Sequence, residues 1–111
     1  MTTHDLKCWP EYYDPIIEKI KTWEFRKDDR PYAVGDTLLL REWDRAAYED
    51  AWHDEQRTLV GDPISHRDVW DAAAYRAIEA AYTGATCHRR VTYVARGGLI
   101  PAGYVMMSIE P

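Results

Sequence analysis

The sequence has 111 residues, short of the roughly 150 used as a prior for one domain and long enough to bury a core without disulfide or metal staples. An apolar content of 46% against 30% charged residues excludes a disordered chain, and no apolar run approaches the ~20 residues of a membrane-spanning helix. The net charge of −5 argues against a protein that coats nucleic acid through long-range attraction.

Residues Asp5 to Trp9 alternate loosely and predict a first strand, stopped by Pro10. Tyr13, Ile16, Ile17 and Ile20 fall at helical spacing, so a short amphipathic helix should run to about Ile20. Either Pro10 or Pro15, the latter behind an Asp14 cap, suits its first position, where proline is tolerated. The reading favoured here is an irregular turn through Tyr12 and a helix from about Pro15. The period then switches to two: Trp23 and Phe25 point one way, Glu24 and Arg26 the other. The aromatic pair is expected to fill the core.

Lys27 to Pro31 reads as a polar turn, and Val34-Gly35-Asp36 as a tight turn feeding a strand. Thr37 to Trp43 is a nearly continuous apolar run, which predicts burial on both faces. From Arg45 to Tyr82 the pattern is helical. A weaker helix covers Ala46 to Glu55, with Tyr48, Ala51 and Trp52 inward. Ser65 with Asp68 is a capping-box variant before a stripe of Trp70, Ala74, Ala77, Ile78 and Ala81. Strands return after Thr83-Gly84: Thr86 to Ala95, with Val91, Tyr93 and Ala95 on one face, and Gly103 to Ile109 beyond a Gly97-Gly98 turn. The order predicts an α+β fold, a small mixed β-barrel with one early crossover helix and a helical insertion at about 45–82. Residues 1–111 form a single domain in this reading.

Charge is unevenly spread. The segment from Asp44 to Ala81 holds nine acids against four arginines, which is the whole of the −5, so the rest of the chain is balanced. Within that balanced part, Lys19, Lys21, Arg26, Lys27 and Arg30 crowd together and allow a local cationic patch. Cys8 and Cys87 sit in no metal or redox spacing and are expected as free thiols inside strands. The four histidines show no convergent ligand spacing, so no metal is expected. Nucleophile elbows and phosphate-cradling glycine loops are absent from the sequence. The start Met-Thr-Thr-His-Asp lacks the basic and apolar regions of a signal peptide, and a cytoplasmic chain is expected.

The segment Lys21 to Arg26 carries the most chemistry. Glu24 and Arg26 share one strand face with Lys21 just before it, and together with Thr22 they could wall a polar pocket. The same residues also read as an exposed strand face laced with an Arg–Glu pair, which is worth little. Trp9, Trp23, Trp43, Tyr82, Tyr93 and Tyr104 could stack on bases, although aromatics in small barrels usually fill the core. Trp43, ending a strand beside Arg41 and Glu42, is the best candidate for a rim position.

Thr3-His4-Asp5-Leu6-Lys7, Lys21-Thr22-Trp23-Glu24-Phe25-Arg26-Lys27-Asp28-Asp29-Arg30, Val34-Gly35-Asp36-Thr37-Leu38, Leu40-Arg41-Glu42-Trp43, Tyr82-Thr83-Gly84 and Gly103-Tyr104-Val105 together resemble the ASCH superfamily. They look most like a small bacterial and phage branch of it described as a domain of unknown function. The resemblance covers the chain apart from about Arg45 to Ala81 and implies a PUA-like β-barrel that binds RNA or a modified nucleotide or nucleoside in a polar cleft, with no cofactor. It implies ligand-binding roles for Arg26, Arg30, Arg41, Trp43, Tyr104 and His4. One type of relative is an amidohydrolase acting on N4-acetylcytidine. Were this chain such an enzyme, Lys21, Glu24 and Thr22 would be its catalytic residues. Glu24 stands where those relatives carry a nucleophilic threonine, and a carboxylate can orient water but cannot replace an alkoxide. Lys19 stands where relatives often have a helix-ending glycine, and Ala85 where the close branch tends to carry arginine. The acidic insertion could cap the cleft like a lid or present a protein-binding face.

Overall fold

The computed structural model describes residues 1–111. The chain runs β1 (Thr3–Cys8), α1 (Pro10–Ile17), β2 (Trp23–Lys27), β3 (Thr37–Trp43), α2 (Arg45–Gln56), α3 (Arg67–Ala80), β4 (Tyr82–Ala95) and β5 (Tyr104–Ile109). The five strands form one mixed sheet in the order β1-β3-β4-β5-β2, parallel between β1 and β3 and antiparallel elsewhere. The fold is therefore α+β. The sheet is not closed by strand pairing, because β1 and β2 are its two edges. They nevertheless approach one another. Arg26, on β2, donates through Nη2 to the Lys7 carbonyl at 2.8 Å, and Arg30 donates to the Asp5 carbonyl at 3.0 Å.

Alternation on β1 turns His4, Leu6 and Cys8 inward, where Leu6 and Cys8 join Ile16, Leu38, Leu40, Val91, Val105 and Met107 in the core. Helix α1 begins earlier than expected, at Pro10, which occupies its first turn behind an extended Trp9. The fixed φ of proline suits that position, and this earlier start turns Tyr13 as well as Ile16 into the core. The helix ends in a Schellman arrangement. Ile20 N–H donates to the Pro15 carbonyl at 2.9 Å and Lys19 N–H to the Ile16 carbonyl at 3.1 Å. Lys19 takes the left-handed position of that motif at φ 64°, where glycine is the usual occupant. Lys21 N–H also donates to the Pro15 carbonyl, at 3.0 Å, so the turn fixes where the chain re-enters the sheet.

Strand β2 reverses an expectation. Trp23 is 46% and Phe25 41% exposed, while Glu24 is only 3% exposed. The aromatic face looks outward because β2 is an edge strand whose inward side closes over Lys21, Glu24 and Arg26. Strand β4 corrects a second one. Its pairing with β5 shifts between Val91 and Tyr93, and the extra residue moves the following side chains to opposite faces. Val94, opposite Met107, packs on the core, and Tyr93 is exposed.

Helices α2 and α3 pair with each other. Trp52 meets Trp70 edge-on at 5.9 Å, and Arg76 forks onto both oxygens of Glu55 at 2.9 and 2.8 Å. Ser65 does not cap α3, whose first turn follows His66 without a side-chain cap. Asp62 instead accepts the Ile64 and Ser65 N–H groups, which organise the turn between the helices. The radius of gyration is 17.0 Å, against ~13 Å for a compact chain of this length. The molecule is elongated, 48 Å by 29 Å by 26 Å, and the helical pair packs on itself more than on the sheet.

Candidate functional site

A cleft of about 340 Å³ opens between the end of β1, the start of α1 and strand β2. Lys7, Cys8, Trp9, Tyr12, Lys21 and Trp23–Arg26 line it. Among these lies the buried Glu24 carboxylate. Lys21 Nζ donates to Oε1 at 2.6 Å and Arg26 Nε to Oε2 at 2.7 Å. A carboxylate removed from water needs such partners, and two charge-assisted hydrogen bonds supply them. The Lys21 ammonium lies over two aromatic faces, 4.7 Å from the Trp23 centroid and 5.5 Å from that of Tyr12. Trp9 stacks on Tyr12 at 6.2 Å, so one wall is aromatic and the floor is ionic.

A second groove, about 420 Å³, continues along the same β1–β2 seam on the other side of Arg26. Arg30 and Arg41 line it with Lys7, Lys27 and Tyr82. The Arg41 guanidinium lies 3.9 Å over the Tyr82 ring.

Of the residues singled out from the sequence, Lys21, Glu24 and Arg26 converge in the cleft, and Arg30 and Arg41 meet in the adjoining groove. Trp9 and Trp23 also line the cleft, and Lys27 and Tyr82 the groove, whereas Thr22, Trp43, Tyr104 and His4 lie elsewhere. Thr22 is exposed and absent from the cleft lining. Trp43 is not at a rim: it is buried, its indole N–H donating to the Ile78 carbonyl at 2.9 Å, which anchors the helical pair to the sheet. Tyr104 stacks in parallel on Phe25 at 5.3 Å on the outer face of the sheet. His4 is buried against Asp36, with Nε2 at 2.8 Å from Oδ2, and tilts onto Tyr32. Asp36 also accepts from the Thr2 and Ala33 N–H groups. The His4 hydrogen bond above all, helped by those N–H donors, holds the Asp36 carboxyl below its ordinary range.

Lys7 and Tyr12 were not singled out from the sequence, although Tyr12 follows Trp9 by one helical turn. Cys8 also reaches the cleft. Burial and the nearby Glu24 charge push its thiol up to about 12, so it stays protonated at neutral pH and is no nucleophile. Cys87, also a free buried thiol, is raised by burial as well. No three metal-ligating side chains converge anywhere, and no helix is long and apolar enough to cross a membrane.

Comparison with known proteins adds a family. Residues 3–109 match the family described as "Domain of unknown function (DUF3850)". The chain belongs to that family. It is also similar to an "Uncharacterized 12.9 kDa protein in GpA 3'region" of Escherichia phage P2, 50% identical over 40 residues. That stretch is 36% of this chain and spans about a third of the relative, 37%.

Proposed function

We propose that the protein is a PUA-like module of the ASCH kind, acting in the cytoplasm, whose cleft recognises a base of a single-stranded RNA element or a modified nucleotide. One observation carries this reading: a buried carboxylate, each oxygen pinned by a different cation, at the floor of an aromatic-walled cleft of nucleoside size. An ionised carboxylate has about four acceptor sites. Two are used here, and the others suit an exocyclic amine or ring N–H. Lys21 keeps donors for a base carbonyl, and Trp9, Tyr12 and Trp23 offer π faces.

Titration of the protein with nucleosides and short single-stranded RNA at low ionic strength, followed by tryptophan fluorescence, tests the reading. Quenching is expected from Trp9 and Trp23, together with a loss of about tenfold or more in affinity for Glu24→Gln. Absence of any binding at low salt overturns it.

A hydrolase reading draws on the short Lys21–Glu24 contact, 2.6 Å. In that version Glu24 activates water and Lys21 steadies the developing oxyanion of an N4-acylated cytidine. Cytidine released from N4-acetylcytidine by the wild type but not by Lys21→Ala would promote it. The projecting acidic helices support a third, a protein-binding arm, and Val60, Ile64 and Val69 are exposed on it. Its test is a variant shortened between Arg45 and Tyr82.

A further inference from the structure

We infer that the groove beside the cleft seats the phosphate of the same ligand, so that the protein takes a nucleotide rather than a free nucleoside; this rests on the nucleobase reading of the cleft. The two hollows are neighbours. Arg26 and Lys7 line both, so the hollows adjoin and a base in one would direct its phosphate toward the other. The groove carries Lys7, Arg26, Lys27, Arg30 and Arg41 against only Asp5 and Asp29. That is a local excess of three positive charges on a chain of net charge −5. Because Arg26 is engaged by Glu24, the free excess is two, which matches a phosphate.

The donors are also prepared. Stacking on Tyr82 and a loose contact with Asp5 at 3.5 Å hold the Arg41 side chain in place without consuming its fork. Arg30 spends one N–H on the Asp5 carbonyl and keeps the rest of its five. Two guanidinium groups fixed at one concavity present the planar donor geometry that phosphate oxygens accept. Closing the seam takes one N–H each from Arg26 and Arg30 and does not account for Lys27 or Arg41, and like-charged side chains crowded without a ligand repel one another. The shared chemistry is a phosphate ester, whether of a free nucleotide or of an RNA backbone.

The test is calorimetric titration of the full chain with the four nucleosides, their 5′- and 3′-monophosphates and short single-stranded trinucleotides. One monophosphate should bind about tenfold or more tightly than its parent nucleoside at low salt, with the gain shrinking as salt rises. In Arg41→Gln and in Arg30→Ala that ratio should fall to about twofold or less. A trinucleotide tighter than the monophosphate identifies RNA as the source, and equal or weaker binding identifies a free nucleotide. Nucleoside binding with no gain from phosphate overturns the inference and leaves the cleft reading standing. A gain that survives both substitutions places the phosphate elsewhere and overturns it too. Failure of every probe removes the cleft reading itself. Should one variant fail to fold, the other decides.

Discussion

Glu24→Gln is the substitution with the largest consequence for the site. The native carboxylate is buried, while the side chains of Lys21 and Arg26 are 13% and 23% exposed. Glutamine keeps the shape but offers one acceptor oxygen and one donor nitrogen. One of the two cations therefore loses its acceptor and meets a donor. Breaking a fully buried pair costs about 3–5 kcal/mol, and partial access of water to the two cations reduces that to about 2–3 kcal/mol. For a domain of this length about 4 °C of Tm is lost per kcal/mol, so the midpoint should fall by about 8–12 °C. Urea unfolding and thermal melts at pH 7 measure both quantities. A double-mutant cycle with Lys21→Met isolates the pair: the coupling should exceed about 1 kcal/mol. Additivity within about 0.5 kcal/mol would refute the shared-carboxylate reasoning, because Lys21 would then owe nothing to Glu24.

Lys19→Gly should stabilise the protein slightly. A non-glycine residue in the left-handed region costs about 1–2 kcal/mol, glycine's extra unfolded-state entropy returns about 0.5–1 of it, and a net gain of about 0.5 kcal/mol should raise Tm by about 2 °C. A lower melting temperature would show that the φ of 64° at Lys19 is held by something other than the Schellman turn. Asp36→Asn should weaken the fold by about 1.5–3 kcal/mol at pH 7. Because the folded carboxyl is held below its ordinary range, its stabilisation is present above about pH 4 and is lost as the pH falls through the folded value. The gap in Tm between wild type and variant should therefore narrow below about pH 4, and a gap independent of pH would show that the charge of Asp36 contributes nothing.

Much of the architecture was legible because it rests on period. The alternation of β1, the apolar run of Thr37–Trp43 and the two helical stretches of the insertion all carry their spacing openly. What was lost are the places where one residue changes the phase or the edge changes the sign. The strand-period pattern of Trp23 to Arg26 is symmetric: it says that aromatics and charges face apart, not which set faces in. Hydrophobicity points to the aromatics, but β2 is an edge, and its inward neighbours are a lysine and an arginine that both need the same carboxylate. The bulge at Thr92 leaves no compositional trace, so Tyr93 and Val94 exchange faces unannounced. Trp43 misled for a related reason. Its charged neighbours Arg41 and Glu42 suggest a rim, yet its indole N–H has a carbonyl waiting in α3, a helix far along the sequence.

The convergence of the site follows from how the sheet manages its two edges. β1 and β2 each leave a row of backbone groups unpaired, which is costly to bury and hazardous to expose. Here arginine side chains, rather than a ladder, answer part of that demand: Arg26 and Arg30 reach from the β2 side to carbonyls of Lys7 and Asp5. A seam closed by side chains keeps a gap that a closed ladder would fill, and both hollows lie in it. Each guanidinium still has N–H groups to spare after bridging, so a ligand entering the gap can be bound without opening the seam. The residues that hold the edges together are thus the ones left facing the space between them, and under the proposed function the charge that closes the seam is the charge that would meet a ligand.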